Sequence, residues 1–205
     1  MQCGPIRHRA AKPEGAPHDL EVAPYSLHAC IDLPPEAKIQ DVFRHLANDQ
    51  GRTAAIVSEI GRTFSQGRKV LVLTERTDHL EAISAALAGK IPGLFVLHGR
   101  MSRKQRAALI EQLDALPSEA PRVLLATGKL VGEGFDHPPL DTLVLAMPVS
   151  WKGTLQQYAG RLHREHASKT DVRIIDFVDT GHPALLRMWD KRQRGYKAMG
   201  YRIGT

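Results

Sequence analysis

Short apolar runs alternate with helix-like patterns along most of this chain. The run "KVLVLT" is continuously apolar apart from its ends, which is typical of a strand buried on both faces of a sheet. Similar runs follow as "GLFVL", "RVLLA", "DTLVLA" and "VRIIDFV". Between them, stretches such as "DHLEAISAALAG" and "SRKQRAALIEQLDAL" place apolar residues three or four positions apart, which predicts amphipathic helices. The alternation predicts an α/β domain of three layers, with a mainly parallel sheet flanked by helices.

The N-terminal part of the chain has a different character. Residues 1–36 contain six prolines separated by short apolar pieces, so they cannot form one regular element. We interpret residues 1–36 as an extended arm or linker and residues 37–205 as one domain. The next stretch, "AKIQDVFRHLANDQGRTAAIVSEIGRTFSQG", has helical periodicity and predicts two helices broken near Gly51.

The C-terminal end of the chain is basic and carries aromatic residues. We predict a basic helix from about Pro183 to Gly195. Trp189, Tyr196 and Tyr201 could stack on nucleic acid, or they could pack the end of the domain. Packing is the more ordinary role for such aromatics, and we expect it here.

Composition narrows the functional classes only slightly. The net charge of +6 is compatible with a polyanionic partner but does not establish one. Cys3 and Cys30 do not make a disulfide framework and suit a reducing cytoplasm, where we expect the protein to be. These cysteines with His8 and His28 lack metal-ligand spacing, so we predict no metal site. No apolar run approaches the roughly 20 residues that span a bilayer, so we expect no membrane partner.

The segment "LQQYAGRLHRE" combines an apolar side with a cationic side. At 100° per residue, Gln157, Gly160, Arg161 and Arg164 fall on one face of a helix, opposite the apolar residues. Thr154 and Gln157 fit a capping box that would start this helix. A solvated arginine-rich helix is one interpretation. The glycine favours a second interpretation, in which a ligand or another backbone approaches the helix closely. An exposed mid-helix Gly costs about 1 kcal/mol relative to Ala, so its presence calls for such a reason.

Three polar loops follow strands whose carboxyl ends would meet at one edge of a parallel sheet, where ligands bind in such folds. "ERTDH" follows Thr74 and contributes Arg76; "HGRMS" begins with His98 and Gly99; "TGKLVGEGFDHPPLD" begins at Thr127. Each loop alone could be a capped turn or an irregular connection. Together their hydroxyl, guanidinium and backbone N–H groups suit phosphate.

The apparatus that holds a nucleotide is missing from the sequence. No G-x-x-x-x-G-K-[ST] phosphate loop is present, and no strand ends in an acidic pair for Mg²⁺. This argues against a standalone ATPase. The absence of G-x-G-x-x-G similarly argues against a nucleotide-dependent transferase. What remains looks like half of a phosphate-handling site.

These motifs together resemble those of superfamily 2 helicases and translocases. "QQYAGRLHRE" resembles motif VI (Q-x-x-G-R-x-x-R), "ATGKLVGEGFD" motif V, "KVLVLT" motif IV and "LHGRMS" motif IVa. Their order and spacing are similar to those of the second RecA-like lobe, the helicase C-terminal domain, over about residues 38–205. The "GEGFD" form resembles the restriction-translocase and XPB-like branch more than DEAD-box proteins. The opening "MQCGPIRHRA" resembles the strand that leaves the first lobe, which implies that the chain begins partway through a longer protein.

The resemblance implies a nucleotide-facing group of residues. Arg161 and Arg164 would be arginine fingers toward the γ-phosphate of ATP, held with Mg²⁺ mainly by an N-terminal RecA-like lobe of the same longer chain. Gln157 would help to seat the nucleotide, and Gly134 and Asp136 would lie near it. We therefore expect the fragment alone to be inactive as an ATP hydrolase.

The resemblance also implies a nucleic-acid-facing group. Thr74, Arg76, His98, Gly99 and Thr127 would contact the backbone of DNA or RNA, with little sequence specificity. The implied function is the second motor lobe of an ATP-dependent helicase or translocase, with unwinding and translocation without unwinding both open. The alternative is a non-catalytic α/β module that binds nucleic acid or regulates a partner.

Overall fold

The computed structural model describes residues 19–28, 31–128, 136–149, 155–164, 166 and 169–204. Within these residues, seven strands form one sheet and six helices cover it. The strands are β1 (Asp19–Leu27), β2 (Lys69–Thr74), β3 (Leu94–Leu97), β4 (Arg122–Thr127), β5 (Thr142–Leu145), β6 (Asp171–Asp179) and β7 (Arg202–Ile203). The helices are α1 (Ile39–Asn48), α2 (Gln50–Ser65), α3 (Thr77–Leu87), α4 (Arg103–Asp114), α5 (Gln156–Leu162) and α6 (Pro183–Ala198).

The sheet has the strand order β3-β4-β2-β5-β6-β1-β7, and every pair of neighbours is parallel. All six residues of β2 are buried, as the continuous apolar run predicted. Leu71 and Leu73 pack on one face of the sheet and Val70 and Val72 on the other, because side chains alternate along a strand. The predicted α/β fold with a parallel sheet is confirmed.

The helices form one layer on each face of the sheet. The layer of α4, α5 and α6 packs on the face that carries Leu71, through residues such as Leu113, Leu162 and Tyr196. The layer of α2 and α3 packs on the opposite face, through Ile60 and other apolar residues. Helix α1 belongs to a smaller cluster beside the sheet. The three-layer arrangement leaves the strand ends as the natural place for a ligand.

The N-terminal arm contains a strand that the sequence analysis did not predict. Strand β1 pairs with β6 along its whole length, although about 150 residues separate them. Strand β7 pairs with β1 only at Glu21 and Val22. Pro24 is tolerated in β1 because it lies past these two positions, where a missing N–H breaks no bond to β7. Local sequence could not reveal this strand, because its partner is remote.

The predicted helices on either side of the sheet are confirmed. The break near Gly51 falls at Asp49, whose side chain accepts a hydrogen bond of 2.9 Å from the backbone N–H of Arg52 and caps α2. The basic C-terminal helix is α6. Trp189 and Tyr196 belong to its inner side and pack with the main core, as does Tyr201. In the described part of the chain, no helix is long and apolar enough to cross a membrane.

A buried ion pair joins α2 to the carboxyl ends of two strands. The guanidinium of Arg52 donates to both carboxylate oxygens of Asp179 at 2.8 and 3.0 Å, and to the carbonyl oxygen of Ala146 at 2.8 Å. Both charged side chains are almost fully buried. Three bonds therefore fix α2 against β6 and the residue after β5.

Removing one partner of this pair should destabilise the fold strongly. We expect Arg52→Met to lower the free energy of unfolding by about 3–5 kcal/mol, because it leaves the Asp179 carboxylate buried without a counter-charge. The double variant Arg52→Met/Asp179→Val should regain much of that loss. Urea unfolding measures both, with Arg44→Met as the matched control, since Arg44 pairs with Asp41 at the exposed surface. An equal effect of Arg52→Met and Arg44→Met would contradict this account.

Candidate functional site

The carboxyl ends of three neighbouring strands bring several predicted residues together. Thr74, the last residue of β2, pairs in register with Thr127, the last residue of β4. On the other side of β4, Leu97 pairs with Ala126, so His98 follows directly beside Thr127. Gly99 lies in the exposed turn after His98. These residues form one continuous edge, which we call the strand-end edge.

Thr74 of this edge and the nearby Arg76 make contacts within the protein. The Thr74 side chain is 1% exposed, and its hydroxyl oxygen lies 3.1 Å from Nδ1 of His79. Arg76 donates two hydrogen bonds to the Asp78 carboxylate, at 3.0 and 2.7 Å. The hydroxyl of Thr74 thus faces α3 instead of the surface. The role of both residues in nucleic-acid contact stays a prediction.

His79 is a buried histidine beneath this edge. Its side chain is fully buried, and among the described atoms its Nε2 has no hydrogen-bond partner. Burial, together with the nearby positive charge of Arg52, lowers the pKa of His79 to about 4. The ring is therefore neutral at neutral pH.

Gly128 is the point where three motif segments meet. A Cβ atom at Gly128 would lie 2.7 Å from Oε1 of Glu75 and closer still to the hydroxyl oxygen of Tyr158. Glu75 follows β2, Gly128 follows β4, and Tyr158 belongs to α5. Burial of its carboxyl group raises the pKa of Glu75. Burial, and then the Glu75 charge, raise the pKa of Tyr158 to about 12. Only a glycine lets these segments approach so closely.

Helix α5 has the two sides that its sequence predicted. Its inner side is buried against the main core and consists of Leu155, Tyr158, Ala159 and Leu162. Gln157 and Gly160 are exposed, Arg161 is half-buried, and Arg164 is exposed. No described atom lies within 4 Å of a Cβ placed on Gly160, so the outer side of α5 is open at that point. The predicted amphipathic helix is confirmed.

The bounds of α5 differ from the expected ones. The helix begins at Gln156, preceded by Leu155 without a side-chain cap, while Thr154 lies outside the described residues. It ends at Leu162, so Arg164 lies just beyond the helix. At this end, the ammonium group of Lys169 donates hydrogen bonds of 2.9 Å to the carbonyl oxygens of Leu162 and Arg164. These bonds satisfy carbonyl groups that the helix leaves unpaired.

Two of the residues predicted to face the nucleotide, Arg164 and Asp136, lie together beyond the end of α5. A guanidinium nitrogen of Arg164 lies 3.4 Å from a carboxylate oxygen of Asp136. Burial lowers the pKa of Lys169 to about 8, although the carboxylates of Asp141 and Asp136 act in the opposite direction. Gly134 lies outside the described residues. The part of the chain that is described contains no group of three or more potential metal ligands.

The residue after Asp136 anchors this side of the site. Nε2 of His137 lies 3.0 Å from Nη1 of the buried Arg122, and its Nδ1 lies 2.8 Å from a carboxylate oxygen of Asp114. Because Arg122 can only donate, His137 accepts at Nε2 and donates from Nδ1 to Asp114. Sequence reasoning missed both His137 and Lys169. Neither position carries a local pattern, since both bind groups that only the fold brings near.

Gly128 should tolerate no larger residue. We expect Gly128→Ala to lower the free energy of unfolding by about 1–3 kcal/mol, because a Cβ would press on Tyr158 and Glu75. Gly160→Ala is the matched control and should be neutral or stabilising by up to about 1 kcal/mol, since a helical Cβ there meets open space. Urea unfolding compares the two. Equal stability of the two variants would show that the three segments around Gly128 are packed less tightly than the structure indicates.

His79 should make folding stability depend on pH. An unfolded histidine binds a proton near pH 6.5, whereas His79 in the folded protein does so only near pH 4. The unfolded state therefore gains protons first as pH falls, and stability is lost between pH 6.5 and 4. Between pH 7 and pH 5 the loss attributable to His79 should be about 2 kcal/mol. Urea unfolding of His79→Gln should lack this component, and His98→Gln, in the turn after β3, serves as control. If the stability of His79→Gln depends on pH as that of the wild type does, His79 is not the source of this pH dependence.

Comparisons with known proteins point to one family, the helicases. The model of the helicase conserved C-terminal domain matches residues 51–166, more than half of the chain. Uncharacterized protein 108L of Invertebrate iridescent virus 3 is 41% identical over 85 residues, which cover 40% of this chain and 74% of that protein. Probable helicase D10 of Escherichia phage T5 is 23% identical over 182 residues, which cover 89% of this chain and 39% of that protein.

The fold is also found in a solved structure. The crystal structure of T4 UvsW aligns with a TM-score of 0.70 and 18% identity, over 91% of this chain and 41% of that one. The chain therefore spans less than half the length of UvsW and of the phage T5 protein. The chain belongs to the helicase conserved C-terminal domain family, and its fold is that of the C-terminal RecA-like lobe of superfamily 2 helicases.

Proposed function

We propose that this chain is the second motor lobe of an ATP-dependent nucleic-acid helicase or translocase. It supplies Arg161 and Arg164 to ATP that is bound mainly by an N-terminal RecA-like lobe, and its strand-end edge holds the nucleic-acid backbone. The observation that carries the proposal is the outer side of α5. There Gln157, Gly160 and Arg161 share one open side, and Arg164 follows beside Asp136.

The chemistry of this side suits a triphosphate. A guanidinium group carries a fixed positive charge and a planar set of donors that match phosphate oxygens. ATP with Mg²⁺ would supply the reacting γ-phosphate and a cation that neutralises part of its charge. The residues of this chain fit one half of an ATP site, because they offer positive charges but no phosphate loop. The phosphate loop would come from the N-terminal lobe. Gln157, on the outer side of α5, and Asp136, beside Arg164, would contact the nucleotide.

The ion pair of Arg164 with Asp136 suits an exchangeable position. The Arg164 side chain is 58% exposed and that of Asp136 40% exposed, so the pair contributes little to stability. Arg164 can therefore leave Asp136 for a phosphate oxygen at small cost. The carbonyl oxygens of Leu162 and Arg164 stay bound to Lys169, which keeps the backbone of the arginine in place.

The strand-end edge supplies the second half of the proposal. His98, Gly99 and Thr127 lie together at this edge, where backbone-directed contacts would be independent of base sequence. Gly128 and Tyr158 join this edge to α5 by direct packing. A shift of α5 upon nucleotide binding would therefore act on the segment that holds the nucleic acid. Alternating closure and opening of the two lobes would move the protein along the strand.

The proposal also includes the branch of the family, the location of the protein and the type of nucleic acid. The sequence form of motifs V and VI favours the restriction-translocase and XPB-like branch, and cytoplasmic location stays a prediction. DNA and RNA are both compatible with backbone contacts.

The test is nucleic-acid-stimulated ATP hydrolysis, measured for the chain alone and for the chain joined to an N-terminal RecA-like lobe. We expect no turnover by the chain alone and stimulated turnover by the joined protein. In the joined protein, Arg161→Ala and Arg164→Ala should each lower kcat by about 10³-fold or more, because an arginine finger stabilises transition-state charge.

The control is Arg44→Ala, which removes an exposed arginine of α1 paired with Asp41. It should leave kcat within about twofold, because an exposed ion pair of this kind contributes little to the fold. Robust hydrolysis by the chain alone would reveal a separate nucleotide site and overturn the two-lobe proposal. Normal turnover by Arg161→Ala and Arg164→Ala would support the non-catalytic module instead.

A further inference from the structure

Cationic side chains line the outer side of α6, the helix next to α5 in the same layer. Arg187, Lys191, Arg194 and Lys197 are spaced by four, three and three residues, which places them along one side of the helix. All four are exposed. Asp190 is the one acidic residue of α6 and lies among them. We call the four residues the α6 basic row.

The four residues of the basic row have no carboxylate partner among the described residues, unlike several exposed arginines elsewhere in the protein. Arg44, Arg100 and Arg202 are exposed, and each pairs with a carboxylate of this chain. In the described part of the chain, no carboxylate lies at ion-pairing distance from the four residues of the row; Arg194 donates only to the carbonyl oxygen of Asp190, at 3.3 Å. Four adjacent positive charges are thus left for an external anion.

The helix that carries the row is held rigidly. The guanidinium of Arg192, on the inner side of α6, donates to both carboxylate oxygens of Asp176 at 2.7 and 2.9 Å. The hydroxyl of Tyr196 donates to the same carboxylate at 2.7 Å. Both Arg192 and Asp176 are buried in the layer below. The row is therefore a fixed array and not a set of charges on a mobile segment.

The combination of exposed charge and buried aromatics favours a double-stranded phosphate backbone over a single strand. At 1.5 Å per residue, the row extends about 15 Å, a length over which one strand of B-DNA presents about four phosphates. Single-strand binding surfaces usually add aromatic side chains that stack on bases. The aromatics of this region, Trp189, Tyr196 and Tyr201, are packed with the core instead. The row therefore offers charge without stacking.

We propose that the α6 basic row binds the phosphate backbone of duplex nucleic acid, as a surface separate from the strand-end edge. The proposal rests on the proposed function and deepens it, because it adds a duplex contact to the backbone contacts of the strand-end edge. It depends on charge alone and needs no nucleotide. Binding at the row would hold the duplex that lies ahead of or behind the translocating lobe.

The experiment measures binding of the full chain to duplex and single-stranded DNA and RNA over a range of salt concentrations, without ATP. The test variant is Arg187→Gln/Lys191→Gln/Arg194→Gln/Lys197→Gln. The matched control is Lys38→Gln/Arg44→Gln/Lys90→Gln/Arg202→Gln, which removes the same number of exposed charges elsewhere. Thermal unfolding checks that both remain folded. If the quadruple variant does not fold, the pairs Arg187→Gln/Lys191→Gln and Arg194→Gln/Lys197→Gln replace it.

We expect the row variant to reduce the slope of log affinity against log salt for duplexes by about three, and duplex affinity at least about tenfold. Single-strand binding should change little, and the control should resemble the wild type. Equal losses in the row variant and the control would overturn the proposal, as would equal losses for duplex and single strand. Unchanged duplex binding would also overturn it and would direct attention to an acidic protein partner.

The outcome is independent of the ATP-dependent role. Arg161 lies on α5, outside the row, and its role is tested by turnover of the joined protein and not by binding without ATP. A row-dependent slope of this chain, together with normal turnover of Arg161→Ala in the protein joined to an N-terminal lobe, would sustain this inference and refute the arginine-finger role. Loss of turnover in Arg161→Ala, together with a slope that does not depend on the row, would support the arginine-finger role and refute this inference.

Discussion

A parallel sheet covered by helices on both faces constrains everything else in this protein. Because both faces are buried, ligand-binding groups are confined to the strand ends and to the outer sides of the helices. Parallel order also sends all carboxyl ends to the same edge, so loops far apart in sequence become neighbours. Thr74, His98 and Thr127 lie side by side for this reason. The ion pair of Arg52 and Asp179 then fixes one helical layer to that edge.

Close packing at Gly128 connects the two halves of the candidate site. The residues predicted to face nucleic acid lie at the strand ends, and those predicted to face the nucleotide lie on the outer side of α5 and in the segment beyond it. The backbone of Gly128 contacts both Glu75, after β2, and Tyr158, on the inner side of α5. A movement of one segment must displace the others, since a tightly packed contact transmits displacement. A motor lobe requires such a connection between the two sites.

Several elements were predictable because their signals are local. The burial of β2 follows from a continuous apolar run, and the two sides of α5 follow from helical periodicity. The outward position of Gln157 could be derived from spacing alone, as could the break between α1 and α2. Strand β1 could not, because only its remote pairing with β6 makes it a strand. The inward hydroxyl of Thr74 depends on His79, which local pattern does not place.

The sequence by itself determined the fold class, the cationic side of α5 and the lack of a phosphate loop, since each depends on residues adjacent in the chain. Tertiary structure alone decided how those groups are held. Lys169 binds the carbonyl groups at the end of α5, His137 anchors the segment that bears Asp136, and Gly128 leaves room for Tyr158. The physical reason is the range of the contacts. Periodicity reports which side of an element is apolar, whereas hydrogen bonds between distant segments exist only once the chain has packed.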